Sequence, residues 1–211
     1  MTEPLSESGA QPEQHGLRKV SLFLWVFMVL LAVVAAGIAI RGTQDGTPKE
    51  YADSVGGPFA LVTPDGARFT ERNLAGKPYA MFFGFTRCPD VCPTTLARMA
   101  QLRKRMGDDG MKFAIVFVSV DPGHDTPADI GNYTALFDTP IIGLTGTTAQ
   151  IDQIVKRWRA FYQKVPLEGG DYTIDHTAGV FLMDRNGRLQ SILDHHENEN
   201  AALAKLRRLV A

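Results

Sequence analysis

Residues 79–96 read YAMFFGFTRCPDVCPTTL. Tyr79 to Phe85 is a short apolar run suited to a buried strand. Cys88 and Cys92 follow directly, and they are the only cysteines in the 211 residues. Pro89 and Pro93 each push the cysteine before them out of the α region. Proline also suits the first position of a helix, where its missing N–H costs nothing. The pattern predicts strand, cysteine loop and helix in that order. The helix is expected from about Pro93 to Met106, with Cys92 near its N-cap. Leu96, Met99, Ala100 and Met106 make its inward face, and Arg103, Lys104 and Arg105 suit its C-terminal end.

Two thiols this close in an otherwise cysteine-free chain are a disulfide, a redox couple or half of a metal site. A disulfide over so short a loop confines little unfolded-state entropy, well under the ~3 kcal/mol of a loop of about 15 residues. Stability alone is therefore a poor reason for the pair. A helix N-terminus favours thiolate, which is both nucleophile and metal ligand. Soft thiolates select soft ions such as Cu(I), or borderline Zn(II).

Outward from this stretch, Phe59–Phe69 carries the turn Pro64-Asp65-Gly66 between apolar runs and reads as a β-hairpin. Phe113–Val120 (FAIVFVSV) is the clearest strand of the chain. After it comes the loop DPGHDTP, in which Asp125 or Thr126 caps a helix to about Phe137. Ile141–Leu144 is a short strand, and Thr147 or Thr148 opens a helix through Ile151, Ile154, Val155 and Trp158. Phe161–Val165 and Tyr172–Ile174 read as extended. Gly179–Met183 and Leu189–Leu193 flank Asn186-Gly187, a two-residue hairpin signal. Asn198–Val210 closes the chain as a helix with Leu203 and Leu206 inward. Strands alternating with helices give an α/β sandwich around a mixed central sheet. A buried strand ending in a cysteine loop that opens a helix is the thioredoxin-like layout. Open α/β sheets place their sites at the C-terminal ends of strands, where these cysteines fall.

Val20–Ile40 is 21 residues without a charge. As a helix it rises about 30 Å, the thickness of a bilayer's hydrocarbon, so a single transmembrane helix is expected at residues 20–40. Arg18 and Lys19 precede it and Arg41 alone follows, with Asp45 close by. The positive-inside rule then leaves residues 1–19 as a cytoplasmic tail. Residues 41–55 form a polar tether, and residues 56–211 form one domain in the periplasm of a bacterium. A net charge of −1 with 21% charged residues provides no broad basic field, so nucleic acid is not an expected partner.

Two sulfurs leave copper undercoordinated, and five histidines compete for a third position: His15, His124, His176, His195 and His196. His15 is on the wrong side of the membrane. His195 and His196, among Asp194, Glu197 and Glu199, read as a solvated pair. His124 follows a strand in an exposed loop. His176, in DYTIDHT, reads on pattern as a loop histidine, with Asp175 placed to orient its imidazole.

Together FFGFTRCPDVCPTTL (82–96), VSVDPGHDTP (118–127), GLTGT (143–147) and DYTIDHTAGVFLMDRNG (171–187) closely resemble the Sco (SenC) family of membrane-anchored copper proteins. The resemblance implies a thioredoxin-like fold and one copper site, with ligand roles on Cys88, Cys92 and His176, for Cu(I) or Cu(II). It implies delivery of copper to the binuclear centre of cytochrome c oxidase subunit II during assembly, with exchange among other periplasmic copper chaperones. The alternative is a thiol–disulfide oxidoreductase in which Cys88 and Cys92 cycle, reducing the cysteines of that centre, or a redox or copper sensor. Arg87 stands where the family commonly has histidine, and Gly123-His124 replaces a more usual Glu-Arg pair. Both departures alter charge near the site without removing a ligand.

Overall fold

The computed structural model describes residues 24–36 and 49–211. Residues 24–36 form a helix, α1, with its side chains exposed. The rest of the expected membrane span, the tail and the first part of the tether lie outside the described residues. Among the described residues no helix is long and apolar enough to cross a membrane. The chain divides into two units, Met1–Asp45 and Gly46–Ala211.

The second unit is an α/β sandwich. Its central sheet has five strands: β3 (Tyr79–Gly84), β4 (Ala114–Ser119), β5 (Ile142–Leu144), β8 (Val180–Met183) and β9 (Leu189–Leu193), in the order β5-β4-β3-β8-β9. β3, β4 and β5 are parallel, β8 pairs antiparallel with β3, and β9 pairs antiparallel with β8. β3 and β4 are buried at every position, which explains why they read as continuous apolar runs rather than alternating ones. Two hairpins stand outside this sheet, β1 (Ala60–Val62) with β2 (Arg68–Thr70) and β6 (Tyr162–Pro166) with β7 (Tyr172–His176).

Helices cover both faces. Phe82, Gly84, Phe117 and Gly143 share the face under α3 (Val91–Arg105) and α4 (Pro127–Thr134): Gly84 lies against Cys92, Phe117 against Tyr133, and Gly143 against Ile130. Phe83 and Phe181 share the other face and meet each other, and Phe83 also meets the Trp158 ring, which ends α5 (Thr148–Arg157) and contacts Phe59. Each of these buried aromatic side chains contributes ~1.5–3 kcal/mol. Thr126 and Thr147 both build capping boxes, with Asp129 and Gln150, so α4 and α5 start where the threonines predict. Asn198 caps α6 (Glu199–Val210). A short helix, α2 (Lys49–Ser54), lies within the stretch read as tether, and its Tyr51 and Ala52 pack against the core.

Three details depart from the sequence reading. The cysteine helix begins at Val91 with Asp90 as N-cap, so Cys92 is in its first turn rather than in the loop. Pro93 is tolerated one turn in because the first N–H groups of a helix have no internal partner. The turn between β8 and β9 is a three-residue loop, not a two-residue one. Asp184 N–H donates to Arg188 O (2.8 Å) and Gly187 N–H to Asp184 O (2.9 Å), with Gly187 left-handed at φ +74°. Finally, Tyr172–Ile174 belongs to a strand that runs on to His176 and pairs with β6, so His176 ends a strand instead of sitting in a loop.

Candidate metal centre

The parallel strands deliver the site. β3 ends at Gly84 and the chain turns through Phe85–Asp90 into α3, placing Cys88 in the loop and Cys92 against the end of the strand. Glycine at 84 is required there. A Cβ would lie 2.7 Å from Cys92 Sγ and 2.9 Å from Phe117 Cε2, inside van der Waals contact. β8 pairs antiparallel to β3, Met81 opposite Phe181, so the start of β8 lies beside the C-terminal end of β3. His176 lies four residues before that start, and the topology brings it to the sulfurs.

Cys88 Sγ, Cys92 Sγ and a ring nitrogen of His176 all lie within 4.8 Å of one another. Cys92 Sγ is 3.4 Å from His176 Nε2. Thiolates at ~2.3 Å and imidazoles at ~2.0–2.1 Å from a shared ion, the zinc values taken as a scale, span at most roughly 4.6 Å. The three groups need only a small inward adjustment to grip one ion. His176 Nδ1 donates to the Thr177 carbonyl (3.1 Å), which turns Nε2 toward the sulfurs. Asp175, expected to orient the ring, is exposed on the opposite face of β7, and the backbone carbonyl does the orienting. Phe82 and Phe85 meet the imidazole edge-on at 5.9 and 5.8 Å and restrict its rotation.

Both cysteines are free thiols, Cys88 half-buried and Cys92 buried. The hydrogen bond donated by the Cys92 thiol, opposed by burial and helped by the His176 side chain and the Cys92 backbone N–H at 3.4 Å, holds Cys88 down to about 4. Donating that bond, and then burial, push the Cys92 thiol up. Cys88 is the thiolate and Cys92 the thiol that supports it. Alkylation of the metal-free dithiol is expected at Cys88 alone, with a rate that holds from neutral pH downward and halves only near pH 4. Mass spectrometry of iodoacetamide-treated protein across pH checks this. A midpoint at the ordinary ~8.5 of a free thiol would overturn the assignment.

The loop after β4 supports the cysteines from below. Asp125 is 1% exposed and accepts from the Thr86 N–H (3.0 Å), the Thr86 hydroxyl (2.6 Å) and the Ser119 hydroxyl. The sequence reading offered Asp125 as a helix cap, but Thr126 caps while Asp125 turns inward. Thr86, two residues before Cys88, was not singled out. The signal was present: in a parallel pair, the loops after β3 and β4 leave the sheet at one edge.

The other histidines fall elsewhere. His124 is exposed but engaged, its Nδ1 2.8 Å from Arg87 Nη2, 2.7 Å from the Tyr172 hydroxyl and 3.0 Å from Asp121 Oδ2. His195, expected to be solvated, is half-buried with Nδ1 3.1 Å from the Thr95 hydroxyl, while His196 is exposed. None of these three joins the metal group. His15 lies outside the described residues.

The family model for SCO1/SenC matches residues 47–211. The chain belongs to the SCO1/SenC family. Its relatives include SenC of Rhodobacter capsulatus, 40% identical over 131 residues covering 62% of this chain and 59% of that protein. They also include the mitochondrial SCO1 homolog 1 of Arabidopsis thaliana, 40% identical over 131 residues, 62% of this chain and 39% of that one. The solved structure of Bradyrhizobium japonicum ScoI with copper bound is 44% identical with a TM-score of 0.68, covering 74% of this chain and 99% of that one. The chain spans about half the length, or less, of the mitochondrial SCO proteins it matches, 39% of the Arabidopsis protein and 52% of yeast SCO2.

Proposed function

We propose that this SCO1/SenC protein is a membrane-anchored copper carrier for cytochrome c oxidase assembly, taking one copper ion between Cys88, Cys92 and His176. The observation that carries the reading is the convergence of two sulfurs and one imidazole, its Nε2 turned toward them, within 4.8 Å. Copper is the cargo, and a Cys₂His set suits Cu(I) and accepts Cu(II). The copper-bound ScoI structure supports the choice of ion. The receiving site is the binuclear copper centre of oxidase subunit II. Cys88 is half-buried in a loop at the edge of the domain, so an acceptor's sulfurs can approach without unfolding it. An exposed apolar α1, with Trp25 at 67% and Val33 at 65%, suits a lipid environment. With the positive flank inside, the domain lies on the periplasmic side of a bacterial inner membrane.

The asymmetry of the thiols favours a second activity at the same site. A half-buried Cys88 thiolate attacks a target disulfide, forming a mixed disulfide and releasing one target thiolate. The Cys92 sulfur then displaces the second target thiol, leaving a Cys88–Cys92 disulfide and a fully reduced target. Both roles use the same sulfurs, so they exclude one another in time.

The test is copper quantification on the full chain, reduced and oxidised. The reduced protein is expected to hold one ion per chain and the disulfide form none. Equal, tight retention of Cu(I) by both forms would refute the Cys₂His site. A dithiol that takes up no copper would leave thiol–disulfide exchange as the function.

A further inference from the structure

The hairpin that carries His176 is not hydrogen-bonded to the central sheet. Tyr172, Ile174 and His176 share the face of β7 that turns toward the domain, and Ile174 is buried. The described polar contacts between this hairpin and the other elements lie at two places besides the sulfurs. At the base, the Tyr162 hydroxyl donates to Asp152 on α5. Toward the tip there is a dense cluster around one carboxylate, Asp121, which is 0% exposed.

In that cluster the Tyr172 hydroxyl donates to Asp121 Oδ1 at 2.6 Å, and Lys164 Nζ of β6 stands 4.0 Å from the same oxygen. His124 Nδ1 lies 3.0 Å from Asp121 Oδ2, and the His124 ring packs 4.9 Å from the Tyr172 ring. Arg87 completes it. One Nη donates to both carboxylate oxygens of Asp171 at 3.2 and 3.0 Å, the other lies 3.5 Å from Asp121, and the guanidinium sits 5.4 Å above the Tyr172 ring. Three separate segments meet there: the cysteine loop, the loop after β4 and the hairpin.

We infer that Arg87, Asp121, His124, Asp171 and Tyr172 form a clasp that positions His176 by fastening the β6–β7 hairpin to the cysteine loop. The clasp touches neither sulfur nor imidazole, so it acts through the placement of the hairpin. Arg87 is the residue next to Cys88, which makes the connection direct: whatever displaces the cysteine loop pulls on Asp171 and Tyr172. Releasing the clasp lets the hairpin swing on its base and turns a three-ligand site into a two-sulfur site, the change needed to give the ion up. Arg87 and His124, the two departures from the usual family pattern, both lie within it and contact each other at 2.8 Å.

The copper half of this inference rests on the function proposed above, and the hairpin half does not. Two variants open the clasp from the exposed side, Tyr172→Phe and Asp171→Asn. Hydrogen exchange of the metal-free full chain is read first. Each variant is expected to speed exchange at the amides of residues 162–176 by about tenfold while α3 and β4 stay protected. Copper affinity is then expected to fall about tenfold, within the range typical of groups that orient a ligand. In a His176→Ala background the same variants are expected to leave affinity unchanged, because there is no imidazole left to position. Unchanged exchange in the hairpin overturns the clasp. An affinity loss that persists without His176 overturns the positioning role. If the wild-type chain binds no copper while hairpin exchange still responds, the clasp stands and the copper reading falls.

Discussion

His176→Ala is expected to weaken copper binding by more than about 100-fold while leaving the fold intact. Loss of a group that merely orients a ligand costs ~10–100-fold, and removal of the ligand itself exceeds that. The two sulfurs remain within reach of an ion, but a third donor is then lacking, since no other described His, Cys or carboxylate joins the group. The imidazole is half-buried, and its loss removes the bond to the Thr177 carbonyl, the contact with Cys92 Sγ and the edge-on packing of Phe82 and Phe85. Stability is expected to fall by about 1–3 kcal/mol, as for a lost hydrogen bond and two aromatic contacts, which leaves the domain folded. Competition titration against a copper chelator measures the affinity, and a thermal melt of the metal-free protein measures the fold. The variant also separates the two activities. A dithiol that reduces a disulfide needs Cys88 and Cys92 only, so His176→Ala keeps thiol–disulfide exchange and loses copper. An affinity within a few-fold of wild type would remove His176 from the site.

How much of this was legible in advance depended on the range of the interaction. The order of strands and helices follows from local pattern: the apolar run of β4 or the Thr147–Gln150 capping box needs no tertiary information. The cysteine pair was legible because cysteine occurs nowhere else in the chain. His176 was not legible from pattern, since 84 residues separate it from Cys92 and five histidines were available. Family resemblance pointed to it, and the sheet order accounts for its position beside the sulfurs: β8 returns beside β3 and brings the preceding strand end with it. Asp125 reads as a helix cap and Asp121 as a loop residue because nothing local distinguishes an inward carboxylate from an outward one. Asp175 failed for the opposite reason. Its adjacency in sequence suggested a partner for the imidazole, but strand alternation sends neighbours to opposite faces.

Asp125→Ala is expected to cost the domain on the order of 3–5 kcal/mol, the effect of removing one member of a buried polar set. The carboxylate accepts three hydrogen bonds, two of them from Thr86, and is sealed from water. Alanine leaves the Thr86 N–H and two hydroxyls facing a void that the rigid ends of β3 and β4 cannot close. Stabilities of natural domains are only ~5–15 kcal/mol, so the loss is a large share, and at ~2–4 °C per kcal/mol the melting point falls by roughly 10 °C. The consequence for function follows from position. Thr86 fixes the start of the cysteine loop, and without it the loop no longer holds Cys88 where the Cys92 thiol and backbone N–H can stabilise the thiolate. Alkylation of Cys88 in surviving folded protein is therefore expected to shift its midpoint from about 4 toward the ordinary thiol value. Asp125→Asn, which keeps the shape and one acceptor oxygen, is expected to lose less than half as much stability. Chemical denaturation with the alkylation profile checks both, and an alanine variant within about 1 kcal/mol of wild type would show that the loop is held by its backbone alone.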